Sequence, residues 1–176
     1  MGSFRSSYFS PLRLVRAALI AAVYVALCLV LAPFSFGPVQ VRVSEALTLL
    51  PVLCPEAIVG VTLGCFIANM LASAPIDMIV GTAATLLAAL ATRKLRHVRW
   101  RGLPLAASLP PVLFNAVMVG VELTLLYFPA GSGIGIYLAN MASVGIGQII
   151  SCCFLGTLLV WFIEKQPVLK NLFTGF

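Results

Sequence analysis

Five acidic side chains occur in this chain, and three of them, Glu45, Asp77 and Glu122, stand inside or beside strongly apolar runs. Arg42 precedes Glu45 in "GPVQVRVSEALTLLPVL", at an i, i+3 spacing that lets the two share one helix face and pair. Glu122 sits in "NAVMVGVELTLL" with no basic neighbour nearby. A charge at the centre of a bilayer costs about 2.5–3.5 kcal/mol. Such groups persist where they meet a cavity, a partner or a substrate. The chemistry open to them is recognition: carboxylates accept hydrogen bonds, and arginine and amide side chains donate them. Gln40, Asn69, Asn115 and Gln148 supply further polar groups in the same setting.

Catalysis has little support. His97 is the sole histidine and lies in the basic stretch "TRKLRHVRWRG", away from the acids, so Ser/His/Asp chemistry is unsupported. Hydrolysis by Glu45 and Glu122 as paired carboxylates has no spacing to recommend it. No GxxxxGK[ST] loop is present, so the chain is not expected to hydrolyse ATP itself. "GSGIGI" lacks the strand–turn–helix setting of a dinucleotide fingerprint and reads as a connector. Five cysteines form no CxxC pair and fall mostly inside apolar runs, where they act as small hydrophobes. Neither a disulfide framework, a metal nor a cofactor is expected.

The elements that must position these groups are membrane helices. The chain of 176 residues is 61% hydrophobic and only 9% charged, with mean hydropathy +1.10. Soluble domains run at about 45–50% apolar and about 25% charged. The net charge of +6 is concentrated in Arg5, Arg13 and Arg16, in Arg93–Arg101, and in Lys165 and Lys170. No stacking aromatics are interleaved on a basic face, which argues against nucleic acid and makes these clusters topology signals. The apolar run near the start exceeds a signal-peptide h-region and reads as a retained first span.

Six helices are predicted in a single membrane domain, at about 12–32, 43–53, 56–72, 76–95, 104–127 and 137–164. An all-α bundle with cytoplasmic N- and C-termini puts all three basic clusters inside. Tyr127, Phe128 and Tyr137 then mark the outer interface, with Trp100 and Trp161 near the inner one. In this topology Arg42, Glu45, Asn69, Asn115, Glu122, Asn140 and Gln148 gather in the outer half, beneath the connector "APFSFGPVQ" that ends at Gln40. Each amide also fits a hydrogen bond between helices, and Arg42–Glu45 also fits an interfacial structural pair. Asp77, after Pro75-Ile76, reads as a helix N-cap rather than a ligand contact. Ala18, Ala22 and Ala26 form a smooth strip on the first helix, with Ala17 and Ala21 beside it; Gly60, Gly64 and Ala68 repeat the spacing on the third.

"VQVRVSEALTLLPVL", "EAIVGVTLGCFIANML", "DMIVGTAATLLAAL" and "LPPVLFNAVMVGVEL" resemble the queuosine-precursor transporter (QueT) family over nearly the whole chain. Its members are substrate-binding S components of energy-coupling factor (ECF) transporters. The resemblance implies a six-helix S-component bundle and an extracellular site under the loop between helices one and two. It implies a queuosine precursor as ligand, a 7-deazaguanine base or queuine. It also implies a transmembrane coupling subunit, met by an alanine strip matching Ala18, Ala22 and Ala26, and two ATPase subunits that use the ATP. The whole subunit would topple in the membrane to deliver its ligand. In the family the position after "GIG" in helix six is often acidic; here it is Gln148, which leaves its role and the precise precursor open. An S component for another vitamin or purine-like base, and a small membrane enzyme, are the rival readings.

Overall fold

The computed structural model describes residues 10–31, 41–127 and 133–174. Among them are seven α-helices: α1 Pro11–Val30, α2 Glu56–Ala72, α3 Pro75–Lys94, α4 Leu109–Tyr127, α5 Ile134–Gln148, α6 Thr157–Lys165 and α7 Pro167–Thr174. A 3₁₀ helix, η1, spans Val43–Val52, and a shorter one, η2, spans Leu105–Ser108. A π-helical stretch, Ile149–Gly156, joins α5 to α6 in one continuous 32-residue rod. Proline sets two of the starts: α1 and α3 carry Pro11 and Pro75 in their first turns, after Ser10 and Ala74 in extended conformation. Proline lacks the N–H that a first turn leaves unsatisfied, and its ring forces the preceding residue out of the helical region.

Four helical stretches are long and apolar enough to cross a membrane: Pro11–Val30, Pro75–Lys94, Leu105–Leu126 and Ile134–Lys165. Their outward residues are hydrocarbon side chains, as at Leu19 (60% exposed), Ile79 (67%) and Leu113 (63%). An apolar exterior of this kind is a surface for lipid. The chain is therefore an all-α, membrane-embedded protein.

Three features depart from the expected six helices. The segment expected as a short helix at 43–53 is 3₁₀, and Ser44 to Val52 are all buried. It is a central strut rather than a peripheral pass. Pro51 lies within it and cannot donate to the ladder, while the end carbonyls of Pro51 and Val52 accept from Arg93 Nη1 at 2.8 and 3.2 Å. An arginine from α3 thus satisfies carbonyls that every helix end leaves open. The sixth helix contains the π stretch, where Gly156 faces η1: a Cβ there would lie 3.0 Å from the Ala46 carbonyl oxygen. The third departure is α7, whose Leu169 and Phe173 rest on the core while Val168 is 81% exposed.

The small-residue strips divide their work. Ala17 and Ala21 are buried against α2, where a Cβ on Gly60 would come within 2.8 Å of the Ala17 carbonyl and one on Gly64 within 2.7 Å of Tyr24 Cβ. Ala18, Ala22 and Ala26 point out of the bundle. Gly64→Val is therefore expected to force α1 and α2 apart and to lower stability by about 1–3 kcal/mol. Thermal unfolding in detergent checks this; an unchanged midpoint would remove the close-approach argument.

The described members of the three basic clusters converge at one end of the bundle. Arg16 pairs with Glu56 at 2.9 Å, joining the starts of α1 and α2. Arg99 grips both Glu164 oxygens at 3.0 and 2.7 Å, tying the loop after α3 to the end of α6. Trp161 lies at the same end, with Lys165 over its ring at 4.3 Å. The turn at Trp100–Leu103 closes through Arg101 and Gly102, both at positive φ (51° and 82°).

Candidate functional site

The polar site forms at the opposite end, around the start of η1. Arg42 is the residue before η1 and has extended backbone (φ −84°, ψ 96°). Its guanidinium therefore leaves the helix axis and reaches the junction of α2 and α3. There Nη2 donates to Asp77 Oδ2 at 3.1 Å and Nη1 to Asn69 Oδ1 at 3.3 Å. Asn69 Nδ2 donates in turn to the Asp77 carbonyl at 3.1 Å and to Cys65 Sγ at 3.4 Å. Gly81 makes room for this knot, since a Cβ there would stand 2.8 Å from Asn69 Nδ2.

Glu45 turns the other way. Its Oε1 accepts from the Tyr24 hydroxyl of α1 at 2.5 Å, and both side chains are essentially inaccessible. Behind it, Cys152 Sγ contacts the Glu45 carbonyl at 3.3 Å and Gln148 Oε1 at 3.2 Å, which draws Gln148 toward η1. Thr48 Oγ1 donates to the same Glu45 carbonyl at 2.6 Å, one 3₁₀ turn along.

Glu122 completes the group from α4. It is 3% exposed, on a buried stripe with Pro111, Asn115 and Val119. The charged groups acting on it are Asp77 and Arg42. Neither of its oxygens meets a donor of another type among the described residues, though the Asp77 carboxyl lies within reach of Glu122, and Glu45 Oε2 and Asp77 Oδ1 likewise meet no such donor. Four buried carboxylate oxygens from three elements are thus left open. Buried polar groups in folded proteins nearly always have a partner, and an open one costs about 1–3 kcal/mol. The site holds three acids and one arginine, so a donor-rich or cationic guest would compensate it.

Several expectations change here. Arg42 and Glu45 do not pair; Arg42 takes Asp77, and Glu45 takes Tyr24. Asp77 is not an N-cap: α3 begins at Pro75, its cap position is Ala74 without a side-chain cap bond, and Asp77 falls in the first turn. Asn115 is buried, but its Nδ2 donates to the Pro111 carbonyl of its own helix at 3.0 Å. Asn140 Nδ2 donates to Thr124 Oγ1 at 3.1 Å, a link between α5 and α4. Phe128 and the whole connector "APFSFGPVQ", with Gln40 at its end, lie outside the described residues, as does the side chain of Tyr127. Tyr24 was not anticipated. The available signal was a phenol inside an otherwise apolar span, since a buried tyrosine hydroxyl requires a partner.

Tyr24→Phe is expected to strip Glu45 of its one side-chain donor among the described residues and to cost about 1–3 kcal/mol of stability. A melting curve unchanged from that of the parent would show that the bond contributes nothing.

The fold and site define an all-α, membrane-embedded protein with a buried, acid-rich polar cluster around Arg42 and most of the other described basic side chains at the opposite end of the bundle. The chain belongs to the QueT transporter family, whose model matches residues 14–165. It is also 41% identical over 75 residues to the "Queuosine precursor transporter QueT" of Lactococcus lactis subsp. cremoris (strain MG1363). That alignment covers 42% of this chain and 44% of the relative, so the chain spans less than half the length of that relative. No solved structure gives a significant match.

Proposed function

We propose that this chain captures a queuosine precursor, a 7-deazaguanine base or queuine, from outside the cell as the S component of an ECF importer. The observation that carries the reading is the set of four open, buried carboxylate oxygens on Glu45, Asp77 and Glu122. A guanine-like edge presents adjacent N–H donors, which one carboxylate accepts bidentately. The ring carbonyl needs a donor, and Arg42, Asn69, Asn115 and Gln148 are the candidates. Three acids against one arginine favour the protonated, aminomethyl-bearing base over a neutral analogue. Membership in the family and the printed name of the L. lactis relative support the choice of ligand.

The rest of the cycle belongs to partners. Two ATPase subunits would use the ATP, and a transmembrane coupling subunit would meet α1 along Ala18, Ala22 and Ala26. Their outward position supports this, because small residues let another helix approach closely. The basic end would face the cytoplasm of a plasma-membrane protein, with the site outward. In this arrangement η1 and α2 supply the second and third of six passes. Delivery would follow from toppling of the whole subunit.

Equilibrium binding of deazaguanine bases to purified protein tests the ligand, with other purines and vitamins as competitors. Binding that survives both Glu45→Ala and Glu122→Ala would sink the site. Ala22→Trp tests the coupling face: binding should persist, while uptake dependent on co-expressed coupling and ATPase subunits should stop. Uptake at the parental rate in that variant would place the contact elsewhere.

A further inference from the structure

The three buried acids are not equivalent acceptors. Glu45 has given Oε1 to the Tyr24 hydroxyl, and Asp77 has given Oδ2 to Arg42. Each keeps one open oxygen, Glu45 Oε2 and Asp77 Oδ1. Glu122 keeps both, and it is 3% exposed. The partners already present differ in charge as well. Asp77 is held by a guanidinium, whereas the side-chain donor to Glu45 among the described residues is a neutral phenol. Arg42 and Asp77 act on both glutamates, which places Glu45 and Glu122 in one cluster. We propose that Glu122 reads the planar N–H edge of the guest with two oxygens, while Glu45 seats its cationic arm with one. This division of labour rests on the reading of the site as one for a queuosine precursor.

The two halves of such a guest ask for different acceptors. A guanine-like ring presents N1–H and the 2-amino group side by side. Two parallel N–H···O bonds take both oxygens of one carboxylate. Of the three acids, Glu122 alone can supply them without releasing a bond that the protein already makes. The Asp77 carboxyl within its reach can offer at most one proton, whereas the ring edge offers two. An ammonium group is a compact point charge with rotatable donors, and one oxygen of a charged acid is enough for it. Glu45 Oε2 suits the ammonium better than Asp77 Oδ1, because Arg42 already offsets the charge of Asp77. The bond from Tyr24 fixes which oxygen of Glu45 is free, and so keeps Glu45 from competing for the two-donor edge.

The test uses the full chain, purified in detergent, and three bases. They are 7-aminomethyl-7-deazaguanine, 7-deazaguanine, which lacks the cationic arm, and 7-deazahypoxanthine, which lacks the 2-amino group as well. Affinities are read by calorimetric titration. The parent protein should prefer 7-deazaguanine to 7-deazahypoxanthine by at least about tenfold, the worth of one charge-assisted hydrogen bond. It should prefer the aminomethyl base to 7-deazaguanine by a similar factor. Glu122→Ala should erase the first preference and keep the second; the isosteric Glu122→Gln should reduce the first and keep the second. Glu45→Gln should do the reverse, since its amide oxygen can still accept from Tyr24 while its NH₂ group faces the ammonium. Preferences that do not cross in this way, both falling together in either variant, would overturn the division of labour and leave the ligand class standing. So would a parent protein that binds 7-deazaguanine and 7-deazahypoxanthine equally. A parent protein that binds none of the three bases would overturn the functional reading, and this assignment with it.

Discussion

Glu122→Ala is expected to make the protein more stable and to cripple ligand binding at once. Both Glu122 oxygens are buried and meet no donor of another type among the described residues. Removing an unsatisfied buried carboxylate relieves about 1–3 kcal/mol, less the cost of the small void it leaves. The net gain should be about 1 kcal/mol, read as a higher unfolding midpoint in detergent. Binding should weaken about 10- to 150-fold, the worth of one charge-assisted hydrogen bond to the guest. Glu122→Gln keeps the shape and should give the same ordering with smaller changes. A packing strut would behave in the opposite way, losing stability and leaving affinity alone. That result would remove Glu122 from the site.

The second large effect concerns Arg42. It holds Asp77 and Asn69 together at the junction of α2 and α3. Arg42→Gln leaves the Asp77 carboxylate buried, beside Glu122 and without its cation. Breaking one side of a buried ion pair costs about 3–5 kcal/mol. Adding Asp77→Asn removes the stranded charge, so the double variant should recover most of that loss. A double-mutant cycle on thermal or denaturant unfolding measures the coupling. If the double variant is as unstable as Arg42→Gln alone, the pair is not what holds the junction.

The grouping of Arg42, Glu45, Asn69 and Glu122 was legible because charge is so scarce here. In an apolar chain each polar residue is conspicuous, and the placement of lysine and arginine orders the ends of the helices. The individual partnerships were not legible. An i, i+3 rule written for α-helices assigned Arg42 to Glu45. Arg42 instead precedes a 3₁₀ helix in extended backbone, which swings it toward α3. The cap falls three positions before Asp77, on Ala74, because Pro75 opens the helix. Tyr24 carries neither a charge nor an amide, so only its phenol inside an apolar span marks it as a partner for Glu45. The π stretch has no local signature either. "IISCCFLG" is as apolar as its flanks, and what distinguishes it is tertiary, the approach of Gly156 to η1.

The helices of this bundle are unequal rods. α2, with 17 residues, is about 25 Å long, against about 30 Å for α1 and α3, and the continuous Ile134–Lys165 rod reaches about 48 Å. A hydrocarbon layer about 30 Å thick fits α1 and α3, is too thick for α2, and is far too thin for an upright Ile134–Lys165 rod. The long rod must therefore lean or protrude, while α2 falls short of the layer's thickness. Each ångström of misfit costs a fraction of a kcal/mol. The molecule thus presents the bilayer with a belt of uneven height, and the tilt of its longest rod depends on membrane thickness.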